Sequence, residues 1–502
     1  MARQLTTKAQ VNGYRFLLSR LEHALVRRDA RMLHDPMRSQ MRALVLGTVL
    51  ALLALAGFGI WGLVKPQGSV GKSAILVSKN SGGLFVVIDE TLHPVLNLAS
   101  ARLIVGDAAA PTSVSDRKLA DYPRGALLGI PGAPAGLPGS AHPGTSTWSV
   151  CDRIDDRQLA GRPDGPHAVR LAVIGERPAL GDRFRTAAPE DAVLASDGRS
   201  TFLLYTVRRG DRPVPVRAEV DTADPAVMRA FGLEGATART VSTGLLNSVP
   251  EVAPLRVPDL AAGTAAPVIS APGVRIGSVV RTVGIDGAAH YYAVLAGAVQ
   301  PVGAATAEML RLAEDGGAAE VMTVAPAVVN AVPHTGTALP VGEFPSRPPH
   351  LVDVPAAPTL CTTWARGADD PRATTTMLLG RGLPIESSQR PVTLTSADGS
   401  GPGIDEVFLR PGSGEYLRVT GNEPDSTRSE SLFYLNDSGI RFGVADLATG
   451  RILGLGDAPA LAPWSVVSLL TPGPTLSRHD ALVAHDAIAA DPAGAPVAVP
   501  AG

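Results

Sequence analysis

The chain has 502 residues, 45% apolar and 18% charged, which is too apolar for a disordered polypeptide and long enough for several domains. A formal net charge of −2 argues against nucleic-acid binding driven by bulk charge. With 53 glycines and 43 prolines, short elements joined by turns are favoured over long helices.

Charge is unevenly spread. Residues 1–42 carry nine basic and three acidic side chains, a net of +6. Within them Tyr14, Leu17, Leu18, Leu21 and Leu25 recur at helical spacing, which predicts one apolar stripe on a basic helix, with Asn12 as its cap. Such a stripe suits docking into a partner protein, lying on an anionic membrane surface, or a plain juxtamembrane helix. Docking is the reading adopted, with these five residues as the contact set. Residues 43–64 follow with no charge and a single Thr. A helix of that length spans about 33 Å, enough for the ~30 Å hydrocarbon core. The run is too long, and starts too late, for a cleaved signal peptide. The positive-inside rule then places residues 1–42 in the cytoplasm and the bulk of the chain outside.

Gly68-Ser69-Val70-Gly71-Lys72-Ser73 ends like a phosphate-binding loop, but Pro66 stands where the first Gly of that motif belongs. A β-rich run rather than a helix follows it, so a polar connector is expected. Beyond this point a weak repeat emerges. Leu84–Ile88, His93-Pro94-Val95 and Leu98–Leu103 are matched, 207 residues later, by Tyr291–Leu295, Gln300-Pro301-Val302 and Ala305–Leu310. Each copy reads as strand, turn, strand, helix. Looser copies start at Phe202 and Leu432.

Cys151 and Cys361 are the only cysteines, in the mirrored contexts Trp148-Ser149-Val150-Cys151 and Cys361-Thr362-Thr363-Trp364. Outside the membrane such a pair is expected to be oxidised, a cross-link worth about 5 kcal/mol in the ideal case; two free buried thiols are the alternative. No serine-nucleophile elbow and no zinc-protease spacing occurs. The pairs His479-Asp480 and His485-Asp486 read as solvated helix ends. Asp155-Asp156 and Asp369-Asp370 read as turns.

The run Thr7–Leu17, then Arg20–Ala24, Arg31–Pro36, Leu92–Leu103, Gly129–Pro134, Ala462-Pro463-Trp464 and Gly473–Ser477 together resemble EccB, the B component of the type VII (ESX) secretion core complex. The resemblance implies an α+β fold, with one N-terminal transmembrane helix and an elongated periplasmic body. Four small α+β repeats would surround a β-rich, disulfide-bearing central domain with quasi-two-fold symmetry. The expected division is 1–42 cytoplasmic arm, 43–64 transmembrane helix, 65–128 linker and repeat 1, and 129–190 the first segment of the central domain. Then come 191–262 repeat 2, 263–340 repeat 3, 341–410 the second segment of the central domain, 411–486 repeat 4 and 487–502 an Ala/Pro-rich tail. The implied role is that of a structural subunit of the inner-membrane export complex. Its partners would be the C, D and E components and further copies of itself, with no cofactor, metal or nucleic acid. A periplasmic nucleotide hydrolase, a label the family sometimes carries, and a cell-wall-binding module are the rival readings.

Overall fold

The computed structural model describes residues 7–29, 36–64, 74–161, 168–259, 266–314 and 320–489. The chain divides into two units, residues 1–72 and 73–502. In the first unit, the helix Lys8–Arg27 is capped by Thr7, whose backbone N–H donates to Gln10 Oε1 at 3.0 Å. This reciprocal capping begins the helix a turn earlier than Asn12, which lies inside it. A second helix, Pro36–Val64, runs 29 residues, starting seven positions before the expected span because Pro suits a first helical turn.

The second unit contains, among the described residues, five sheets. Four share one plan. A three-stranded antiparallel meander is followed by a helix. A short strand then adds parallel to the first strand. In the first sheet these are Ile75–Ser78, Leu84–Ile88 and Thr91–Val95, the helix Leu98–Val105 and the strand Thr112–Val114. Asp89 and Glu90 turn the hairpin with φ of 46° and 60°, the left-handed conformation that matches strand twist in two-residue turns. The second sheet uses Asp191–Ser196, Thr201–Arg209, Arg212–Glu219, the helix Pro225–Ala230 and Arg239–Thr240. The third uses Val279–Val283, Ala289–Val294, Val299–Val302, the helix Ala304–Ala313 and Met322–Thr323. The fourth uses Gly414–Thr420, Leu432–Asn436, Ile440–Val444, the helix Leu447–Ile452 and Ala460–Pro463.

The 207-residue offset is kept in the register. Leu84 pairs with Val95, and Tyr291 with Val302. A second short helix also recurs in each of the four repeats (Asp116–Leu119, Thr243–Ser248, Pro326–Asn330, Trp464–Val467).

The fifth sheet has seven strands. Its two long middle strands, Thr145–Arg153 and Thr359–Gly367, run antiparallel with Cys151 opposite Cys361 and Trp148 opposite Trp364. Side chains alternate across a strand. The tryptophans therefore join one core with Val150 and Leu360, while the cysteines join another with Ile174, Phe184 and Phe408. Each middle strand is flanked by a further antiparallel strand, Arg170–Ile174 or Thr374–Gly380. Farther out the two-fold breaks: Glu406–Phe408 adds parallel, Phe184–Thr186 antiparallel.

Packing follows the same symmetry. Sheets one and four share a core that includes Ile75, Leu103, Tyr434 and Phe442. Sheets two and three share another that includes Val216, Phe231, Ala293 and Met309. An operation exchanging one with three and two with four turns the first pair into the second. The chain closes on itself as well. Ala484–His485 pairs with Leu127–Leu128 and becomes the edge strand of the first sheet.

Candidate functional site

Among the described residues, the chemistry-bearing side chains singled out in the sequence are not brought together. No group of three or more His, Cys, Asp and Glu able to hold a metal ion occurs among the described residues. His479 is 93% exposed at its side chain and meets only Asp480, at 3.3 Å. His485, expected at a helix end, lies in a strand, where its Nε2–H donates to Gly129 O at 2.8 Å. Asp155 stands 3.5 Å from both Arg153 and Arg170, and Asp370 Oδ2 accepts from Gly367 N–H at 2.9 Å. Gly68–Ser73 lies outside the described residues.

Two surfaces in the first unit are apolar and unburied. On the helix Lys8–Arg27 the stripe residues Tyr14, Leu17, Leu18, Leu21 and Leu25 are all exposed, Leu25 by 75%. Five large apolar side chains on one face are costly to hydrate, at roughly 25 cal/mol per Å². On the second helix, Met41–Phe58 has a mean hydropathy of 2.1 and none of it is buried. Its one hydroxyl, Thr48 Oγ1, donates to Leu44 O at 2.8 Å, so beyond Arg42 at its start the segment offers hydrocarbon no unsatisfied side-chain donor.

Rigidity of the second unit rests on its centre. Cys151 and Cys361 are joined by a disulfide between fully buried cross-strand partners. On the opposite face of the same strand sits Asp152, fully buried. Its Oδ2 accepts from Ser242 N–H at 2.6 Å and its Oδ1 from Ser242 Oγ–H at 2.7 Å. Ser242 Oγ in turn caps the helix Thr243–Ser248 by accepting from Leu245 N–H at 3.0 Å. Burial pushes the Asp152 carboxyl up to about 6, against the pull of the Ser242 hydrogen bonds and of Arg239. Arg239, buried beside it, is drawn down to about 10 by desolvation and donates to Ala357 O and Pro358 O at 3.0 and 3.1 Å. Nothing in the sequence around Asp152 flagged this junction, because Ser242 lies 90 residues away.

A second polar cluster ties the central sheet to the fourth. Glu176 accepts from Arg410 and His142, the latter at 2.6 Å. Burial raises its carboxyl, but these bonds outweigh that and hold it below the usual range. Nearby Glu415 is pushed up by burial and accepts from Ser140 Oγ–H at 2.7 Å. These bonds cross-brace the segments that carry Ser140, His142, Glu176, Arg410 and Glu415.

A family model described as type VII secretion system ESX-1, transport TM domain B, matches residues 3–490. The ESX-3 secretion system ATPase EccB3 of Mycolicibacterium smegmatis is 35% identical, covering 98% of this chain and 93% of the relative. The ESX-1 secretion system ATPase EccB1 of Mycobacterium tuberculosis is 36% identical, covering 100% and 99%. Among solved structures, a chain of an intact ESX-5 inner membrane complex aligns with a TM-score of 0.72 at 33% identity, over 99% of both chains. A chain of an EccB3 dimer from the ESX-3 core complex aligns with a TM-score of 0.69 at 34% identity, over 82% of this chain and 100% of the other.

Proposed function

The chain belongs to the EccB family of type VII secretion proteins, and on that basis we propose that it is a structural, membrane-anchored subunit of an ESX inner-membrane core complex. The single observation that carries this reading is the division of labour within the chain. One unburied apolar helix of spanning length joins a basic striped helix to a large β-rich unit. The known complexes of similar chains support membership in such an assembly and self-association.

In finer detail, residues 1–42 lie in the cytoplasm and residues 65–502 in the periplasm, as the +6 segment beside the span favours. The stripe Tyr14, Leu17, Leu18, Leu21 and Leu25 docks against a neighbouring subunit among the C, D and E components. Outside the membrane, four repeats brace a disulfide-bearing central domain that organises the periplasmic face of the pore. Each repeat shares its core with a partner repeat.

The test is a double substitution, Leu17→Asp with Leu21→Asp, in the full chain. Two charges in a docked apolar face should abolish co-purification of the other core components while membrane insertion is kept. Undiminished co-purification would remove the stripe from the interface. A second reading is suggested by the word ATPase in the names of the relatives. ATP turnover by the purified chain that disappears on Lys72→Ala would favour it over a purely structural role.

A further inference from the structure

The two middle tryptophans are cross-strand partners but are not equally satisfied. Trp148 Nε1–H donates to Ser146 Oγ at 2.8 Å, two residues back on its own strand. Strand pairing sets Arg366 opposite Ser146 just as it sets Trp364 opposite Trp148. The residue across from the serine that serves Trp148 is thus an arginine. Its guanidinium is spent on Asp370 O and Pro371 O, at 3.0 and 3.1 Å. Trp364 is 5% exposed, and its buried indole N–H has no acceptor among the described residues. Thr375, its direct partner on the neighbouring strand, has a buried hydroxyl that is likewise without a partner among the described residues.

Both residues line one small cavity. Its walls include Ser248 from the second repeat, Thr362 from the central sheet and Asn422 from the fourth. The cavity leaves about 10 Å³ for the centre of a water molecule, at the lower limit for a single ordered water. A buried donor and a buried hydroxyl left unmade would each cost on the order of their full desolvation, whereas one water satisfies both. The indole N–H can only donate, while the hydroxyl can donate or accept. Thr362 Oγ1, hydrogen-bonded to Ser248 Oγ, keeps a further lone pair for the same water.

We propose that this cavity is a single-water site bridging Trp364 Nε1, Thr375 Oγ1 and the Ser248–Thr362 hydroxyl pair. It is an internal joint at which the second repeat, the central sheet and the fourth repeat meet. Asn422 reinforces the joint by donating through Nδ2 to Asn247 O and accepting from Ser465 Oγ–H.

The proposal reverses the sign of a simple substitution. Thr375→Val removes the hydroxyl and keeps the shape. If water fills the site, it loses a partner, and the thermal midpoint of the full chain in detergent falls by about 2 °C. If the hydroxyl is merely unsatisfied, its removal raises the midpoint. Thr375→Ser, which keeps the oxygen, should hold closer to the parent than Thr375→Val. A midpoint raised or unmoved by Thr375→Val overturns the site. Should that variant not fold, a map of the unaltered chain at water-resolving quality decides. A peak within hydrogen-bonding distance of Trp364 Nε1 and Thr375 Oγ1 supports the site, and no peak there overturns it.

Discussion

Asp152 is one carboxylate at a joint, and burial sets its behaviour. Its folded-state value of about 6 lies above the ordinary 3.8, so the native state holds this proton more tightly than the unfolded chain does. The resulting stability is fully present below about pH 4 and is lost as pH rises through 6. By linkage it amounts to about 3 kcal/mol. In Asp152→Asn the group no longer titrates. The difference in stability between parent and variant should therefore change by that order between pH 4 and 7, in the direction of a parent that weakens with rising pH. Denaturation at both pH values measures it, and parallel curves would show that Asp152 does not titrate in this window. Gly450 illustrates a steric counterpart: a Cβ there would lie 2.3 Å from the Tyr416 hydroxyl, so only glycine lets that helix approach the fourth sheet. A sequence pattern reveals that a glycine exists, not what leans against it.

Among elements, the strand Ala484–His485 shows how little length a structural role requires. It adds two residues to the first sheet and one side-chain bond, His485 Nε2–H to Gly129 O. At about 1 kcal/mol per hydrogen bond, truncation after Val483 should cost about 2–3 kcal/mol. Amide exchange should quicken at Leu127 and Leu128, whose protection depends on this edge. Unchanged exchange there would mean that the sheet closes without it. Local pattern reading found the striped helix and the apolar span, since both are written in neighbouring residues. It placed the helix cap at Asn12 instead of Thr7, because the capping interaction with Gln10 outweighs the simple presence of an Asn near the start. It also assigned His485 to a helix end, because a two-residue strand has no periodicity and exists only through its partner.

For the molecule as a whole, the span divides a cationic segment from the rest of the chain, and its orientation is open to direct measurement. Protease added to spheroplasts should degrade residues 73–502 and leave a protected fragment reaching from the N-terminus through the span. Protection of the large unit would reverse the topology. The apolar span, the charge asymmetry beside it, the 207-residue repeat and the family are all legible in the amino-acid order, because each is carried by residue identity along the chain. Three things became visible only in the folded chain. Sheet one shares its core with sheet four and sheet two with sheet three, the C-terminal strand closes the first sheet, and Asp152 meets Ser242. Those contacts join segments far apart in the chain, and the favourable energy of apolar burial is non-directional, so any of several pairings would hide the same side chains. Which one forms is selected by shape and hydrogen bonding among all the units at once.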